Sequence, residues 1–150
     1  MRARESLIFR SPVGISILPL KVTDRGLVTQ PRYAVAYVPR NNLILGIAYK
    51  FLPANVNLPW GAVKLDETPI EAVFRLMFEQ TRVRALEARL LSQLDIPGGP
   101  VFVYYVTEFE GRPVSSQLGR AYWASERQLL LPTAEGATLS RRVLGLVHRV

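Results

Sequence analysis

The sequence contains no cysteine, a single histidine (His148), and three lysines against sixteen arginines, and none of its apolar runs reaches the ~18 residues that a bilayer crossing requires. Without cysteine there are no disulfides, thiol nucleophiles, iron–sulfur clusters or cysteine-ligated zinc sites, and one histidine removes multi-histidine metal sites. Only oxygen-ligand metal chemistry is left open. The longest uncharged stretch, Phe51 to Val63, is broken by Pro53, Asn55, Asn57 and Pro59, so no membrane partner is expected. The first residues begin as a signal peptide does, but Arg10 interrupts the apolar segment almost at once. A cytoplasmic location is the expectation.

What is present is the composition of a packed globular protein: 150 residues, 49% hydrophobic, 9% aromatic and 21% charged. With no repeat, low-complexity tract or long linker, residues 1–150 read as one domain. The formal charge is +7 and is unevenly spread. Basic residues dominate before residue 40 and after residue 111, while the acids gather between them. Such a basic periphery attracts polyanions, and arginine suits bidentate phosphate recognition, although a GC-rich coding bias produces the same arginine excess.

Residues 13 to 22 alternate around β-branched side chains and predict a strand with Pro19 at an edge or bulge. Residues 33 to 39 and 43 to 50 are strand-like and flank Arg40-Asn41-Asn42, which predicts a hairpin. Thr68-Pro69-Ile70-Glu71 is a helix start, with Thr68 as N-cap, Pro69 in the first helical position and Glu71 completing a capping box. On the helix from about 69 to 82, Ile70, Val73, Phe74, Met77 and Thr81 share the predicted core face. Ala72, Arg75, Leu76, Glu79 and Gln80 fall on the opposite one, where Leu76 is out of place. Residues 85 to 94 read as extended and 100 to 107 as a strong strand behind Pro97-Gly98-Gly99. A short strand at 120–123, a short helix capped by Ser125 and Gln128 and ended by Pro132, and a C-terminal helix with Leu139, Val143, Leu146, Val147 and Val150 on one side complete the pattern. This is an α+β arrangement.

The segment from Leu58 to Val83 carries the chemistry. Gly61, five residues, Glu67, seven residues, then Arg75, Met77, Glu79 and Val83 reproduce the spacing of a known loop–helix–loop signature, and the chain resembles the Nudix superfamily. The hairpin before it, the strand at 100–107 and the Tyr122-Trp123 preceding a capped helix follow that family's usual order. The resemblance implies an α/β/α sandwich, a mixed sheet with helices on both faces. Three signature positions depart: Leu76 and Gln80 stand where the family has helix glutamates, and Arg82 stands where it has glycine. In the family these carboxylates hold magnesium or manganese against a diphosphate and help to activate water. Glu79 remains as the one catalytic or metal-ligand candidate, but Arg75 lies one turn before it, so the face has about zero net charge.

Each retained residue also has a structural reading. Gly61 supplies a backbone turn, Glu67 and Arg75 brace loop against helix as an ion pair, and Glu79 is a solvated helix-face residue. Leu76 predicts a cleft floor that is apolar or covered. Asp66, Glu71, Glu108 and Glu110 are the acids that would have to substitute, since residues 115–120 contain none. Trp60, Lys64 and Tyr49 are the ligand-contact candidates near the signature, an aromatic there being suited to stacking a base. His148 reads as an exposed helix-end residue.

The resulting expectation is a degenerate Nudix-like domain that binds a nucleotide, a nucleoside-diphosphate-linked ligand or RNA, with weak or no hydrolysis and no required cofactor. The alternatives are a magnesium- or manganese-dependent hydrolase of a nucleoside diphosphate linked to another moiety, with a non-standard ligand set, and a structural or interaction domain. A homodimer is a further partner expectation.

Overall fold

The computed structural model describes residues 6–11, 14–19, 31–51, 55–130 and 139–149. Two short strands, β1 (Ser6–Ser11) and β2 (Gly14–Pro19), form an antiparallel pair. The predicted strand is therefore β2, its last expected residues lying outside the described ones, and β1 occupies the stretch that the composition likened to a leader.

A mixed four-stranded sheet forms the centre, in the order β6 (Trp60–Ala62), β3 (Tyr33–Tyr37), β8 (Gly99–Glu110), β7 (Arg84–Ile96). β3 runs parallel to β8 and antiparallel to β6, and all five of its residues are buried, as the interior strand of a two-sided sheet requires. The pleat divides its side chains between two cores. Ala34 and Ala36 join Tyr104 and Val106 of β8 on one face, and Tyr33, Val35 and Tyr37 join Val101 and Val103 on the other. The first face is covered by α1 (Pro69–Thr81), the second by α2 (Glu126–Leu129) and α3 (Leu139–Val147), which contribute Leu129, Val143 and Leu144. Helices thus lie on both faces of a mixed sheet, the predicted α+β sandwich.

A second sheet joins β4 (Pro39–Arg40), β5 (Leu43–Tyr49) and β9 (Gly119–Ala124). The predicted hairpin is accordingly shorter than expected. Only Pro39 and Arg40 pair with β5, around a two-residue turn in which Asn41 takes φ +56°. Tyr33–Tyr37 belongs to the central sheet, so the chain changes sheets at Val38, whose carbonyl accepts from Leu45 N–H at 2.9 Å.

α1 starts as its sequence dictates. The Thr68 hydroxyl accepts from Glu71 N–H at 3.3 Å and the Glu71 carboxylate accepts from Thr68 N–H at 2.9 Å. It ends at Arg82, which caps the helix at φ +67°, the left-handed conformation that glycine adopts without cost. Thr81 C=O, otherwise an orphan at the helix end, accepts from Val114 N–H at 2.9 Å and so ties the loop before β9 to the helix.

The burial of α1 corrects the single-face reading. Ala72, Val73, Leu76, Met77, Gln80 and Thr81 are all buried, while Ile70 and Phe74 are only partly so. The reason is that α1 lies between two sheets: Val73 and Met77 share a core with β3 and β8, while Gln80 reaches Tyr49 on β5. The second capped helix forms as expected, but it ends at Leu129 rather than at Pro132, which lies outside the described residues together with Val150.

Candidate functional site

The loop from Val63 to Thr68 is held by one carboxylate. Glu67 receives Arg75 Nε at 2.7 Å on Oε2, and Arg75 Nη2 at 2.9 Å with Lys64 N–H at 2.9 Å on Oε1. This is a bidentate pair, with both side chains largely shielded from water. Arg75 completes its set with Ala62 C=O at 2.8 Å and Glu79 Oε1 at 3.2 Å. Hydrogen bonding from Arg75 holds the Glu67 carboxyl below its ordinary value, and the same bond raises the Arg75 guanidinium. Arg32 reinforces the loop by donating to Glu67 C=O at 3.1 Å. Nothing in its local sequence marks Arg32 for this role, which depends on a contact 35 residues away.

Gly61 and the departing positions 76 and 80 lie in the core. Gly61 sits within β6 rather than at a turn, paired with Ala34. A Cβ built on it would lie 2.7 Å from Leu76 Cδ2, so the missing side chain at 61 and the leucine at 76 are complementary shapes. Leu76 is 3% exposed and is sealed by β6. Gln80 is 0% exposed, with both ends of its amide engaged: Oε1 accepts from the Tyr49 hydroxyl at 2.8 Å and Nε2 donates to Trp60 C=O at 2.9 Å. Burial pushes the Tyr49 phenol well above its ordinary value, so it stays a neutral donor.

The ligand-contact candidates do not converge. Tyr49 is 1% exposed and bonded to Gln80, so it is unavailable to stack on a base. Trp60 alternates with Gly61 and therefore faces the side of the sheet away from α1, where its ring lies 6.1 Å from Tyr33. Lys64 is exposed and joins the loop through its backbone N–H.

The donor set at α1 does not fit a divalent cation. Hard cations need several anionic oxygens. Glu79 is 47% exposed and engaged by Arg75, Leu76 carries no donor, and the Gln80 oxygen is committed to Tyr49. Of the substitute acids, Glu71 caps the helix and Glu110 faces Arg84 at 3.6 Å. Among the described residues no three Asp, Glu, His or Cys side chains gather as a metal would require. His148 at the end of α3 pairs with Glu126 of α2, across the central sheet from α1.

No protein-family model matches the sequence, and no curated protein matches it. The solved structures do. The chain superimposes on a MutT NUDIX hydrolase from Burkholderia pseudomallei with a TM-score of 0.64 at 24% identity, over 81% of this chain and 98% of that one. A NUDIX hydrolase from Nitrosomonas europaea gives 0.61 at 19% identity, over 81% and 90%. An ADP compounds hydrolase gives 0.66 at 11% identity, over 99% and 95%. The fold is the Nudix fold. No described helix is long and apolar enough to cross a membrane.

Proposed function

We propose that this chain is a Nudix-fold protein that binds a nucleotide or another phosphate-containing ligand and does not hydrolyse it by the divalent-metal route. The observation that carries the reading is the fate of positions 76 and 80. Two helix positions that would face a metal are occupied by core side chains, one packed against Gly61 and the other bonded at both ends of its amide. Of the retained signature positions, Glu67 and Arg75 hold the loop and Gly61 packs against Leu76. A loop held in place without the charge a metal needs is a scaffold suited to ligand binding.

The alternative, a magnesium- or manganese-dependent hydrolase of a nucleoside diphosphate linked to another moiety, is favoured by the similar structures, which are named as hydrolases. A turnover assay separates the two. With magnesium or manganese, the purified protein is expected to release no product from ADP-ribose or from nucleoside triphosphates above the uncatalysed rate. Metal-dependent turnover that disappears in Glu79→Gln would overturn the proposal in favour of the hydrolase.

A further inference from the structure

The central sheet ends at β7, and among the described residues that strand pairs on one side only, with β8. Its 13 residues include no lysine and no proline, two of the residues that commonly guard an open sheet edge. Leu86 and Leu90 stand instead about half exposed, at 49% and 54%. Such an edge carries a row of backbone donors and acceptors that another strand can satisfy. The register against β8 shifts between Ala85 and Ala88 and again after Leu90, and it runs evenly from Ala88 to Leu90.

The contacts of β7 tell its two faces apart. Arg89 lies over the Tyr105 ring, 5.3 Å from its centroid, and the Glu87 carboxylate accepts from the Thr107 hydroxyl at 3.3 Å. Tyr105 packs with the core on the side of the sheet away from α1, so both charges lie on that side. Ala88 packs against the core on the α1 side.

From Leu86 to Leu90 the sequence is Leu-Glu-Ala-Arg-Leu, which is the same in both directions except that one charge becomes its opposite. Two antiparallel copies of such a segment complement each other. With a two-fold axis at Ala88, Leu86 of each copy stands opposite Leu90 of the other and Glu87 opposite Arg89, while the small Ala88 meets itself at the axis. A shift of two residues either way would set Glu87 on Glu87 or Arg89 on Arg89, so the charges select one register. An unrelated strand carries this complement only by chance, whereas a second copy carries it by symmetry.

We infer that β7 is a homodimer contact, through which two copies of this chain join their central sheets edge to edge, antiparallel about Ala88. A contact of one strand from each copy lies at the small end of specific interfaces, below about 1,200 Å² in total, so the dimer is reversible. The inference does not depend on what the domain binds or whether it hydrolyses it.

The test is sedimentation velocity of the full chain from micromolar to millimolar concentration, at moderate salt to screen the net charge of +7. Monomer should convert to dimer and to nothing larger, since a two-fold contact closes on itself. Arg89→Glu sets like charges opposite each other at both symmetry-related pairs and should weaken dimerisation about tenfold, as should Glu87→Arg. The variant carrying both reversals restores the complement in the opposite sense and should recover the parent's association. Both positions are exposed, so all three variants should keep the parent's circular dichroism. In the unmodified protein, amide exchange within residues 86–90 should slow as concentration rises. A protein that stays monomeric throughout, or a dimer indifferent to the single reversals, would overturn the proposal. So would exchange in that segment that ignores concentration, and a double reversal as weak as the single ones would overturn the register.

Discussion

Gly61 and Leu76 lie 15 residues apart in the chain and in contact across the interface between β6 and α1, and a double-mutant cycle measures how far they were fitted to each other. Leu76→Ala removes three buried carbons at about 0.8 kcal/mol each, and the void left under β6 brings the cost to about 3–4 kcal/mol. Gly61→Ala places a methyl group 2.7 Å from Leu76 Cδ2, and because that is the end of a side chain it can yield, at an over-packing cost of about 1–2 kcal/mol. In the double variant the leucine methyls are gone and the new methyl enters the space they held. Gly61→Ala should then cost about zero, for a coupling of ~1–2 kcal/mol. Urea unfolding of the four proteins gives the cycle, provided that the slopes agree. Additivity within about 0.5 kcal/mol would mean that β6 does not seal this helix face, and would refute the argument that position 76 has passed from ligand to core.

Two further outcomes follow from the same network. Glu67→Gln should destabilise the protein by roughly 2–3 kcal/mol near neutral pH, because it leaves the Arg75 charge shielded without its partner. The folded-state carboxyl lies below its ordinary 4.5, so its contribution is present above that value and is lost as pH falls through the lowered one. Chemical unfolding at a series of pH values should therefore show parent and variant converging in acid, and a constant gap would remove the pair as its cause. Tyr49→Phe should cost about 1–2 kcal/mol by stripping the Gln80 amide oxygen of its donor, and Gln80→Leu in the same background should recover part of it, read from melting temperatures. Equal costs for Tyr49→Phe with and without Gln80 would disprove their bond.

The termini of α1 were legible from the sequence because they depend on neighbours within four residues: Thr68, Pro69 and Glu71 specify the start wherever the helix packs. The β8 strand was legible for a related reason, its β-branched and aromatic run resisting a helical reading, whereas β7, made largely of Leu, Ala, Glu and Arg, has no such run and takes its extended form from pairing with β8. The inner side of α1 was not. A helical wheel assigns one core face, whereas this helix is buried by two sheets, and Leu76 and Gln80 are buried by residues distant in sequence, Gly61 and Tyr49. Leu76 alone, an apolar residue on a face otherwise polar, signalled the discrepancy. Of the site, Glu67 and Arg75 were named from spacing and stand in a bidentate pair, while Tyr49 and Trp60 were named from residue type; Tyr49 bonds Gln80 and the Trp60 ring lies beside Tyr33.

Core side chains at positions 76 and 80, in place of metal ligands, underlie the proposed metal-independent function, and a manganese titration of the unmodified protein checks this. Manganese broadens the resonances of nuclei near its site, so binding is located as well as measured. No saturable broadening is expected around Glu79, Arg75 and Ala62, because Glu79 offers one half-exposed carboxylate already engaged by a guanidinium. Saturable broadening centred on Glu79 and abolished by Glu79→Gln would contradict it.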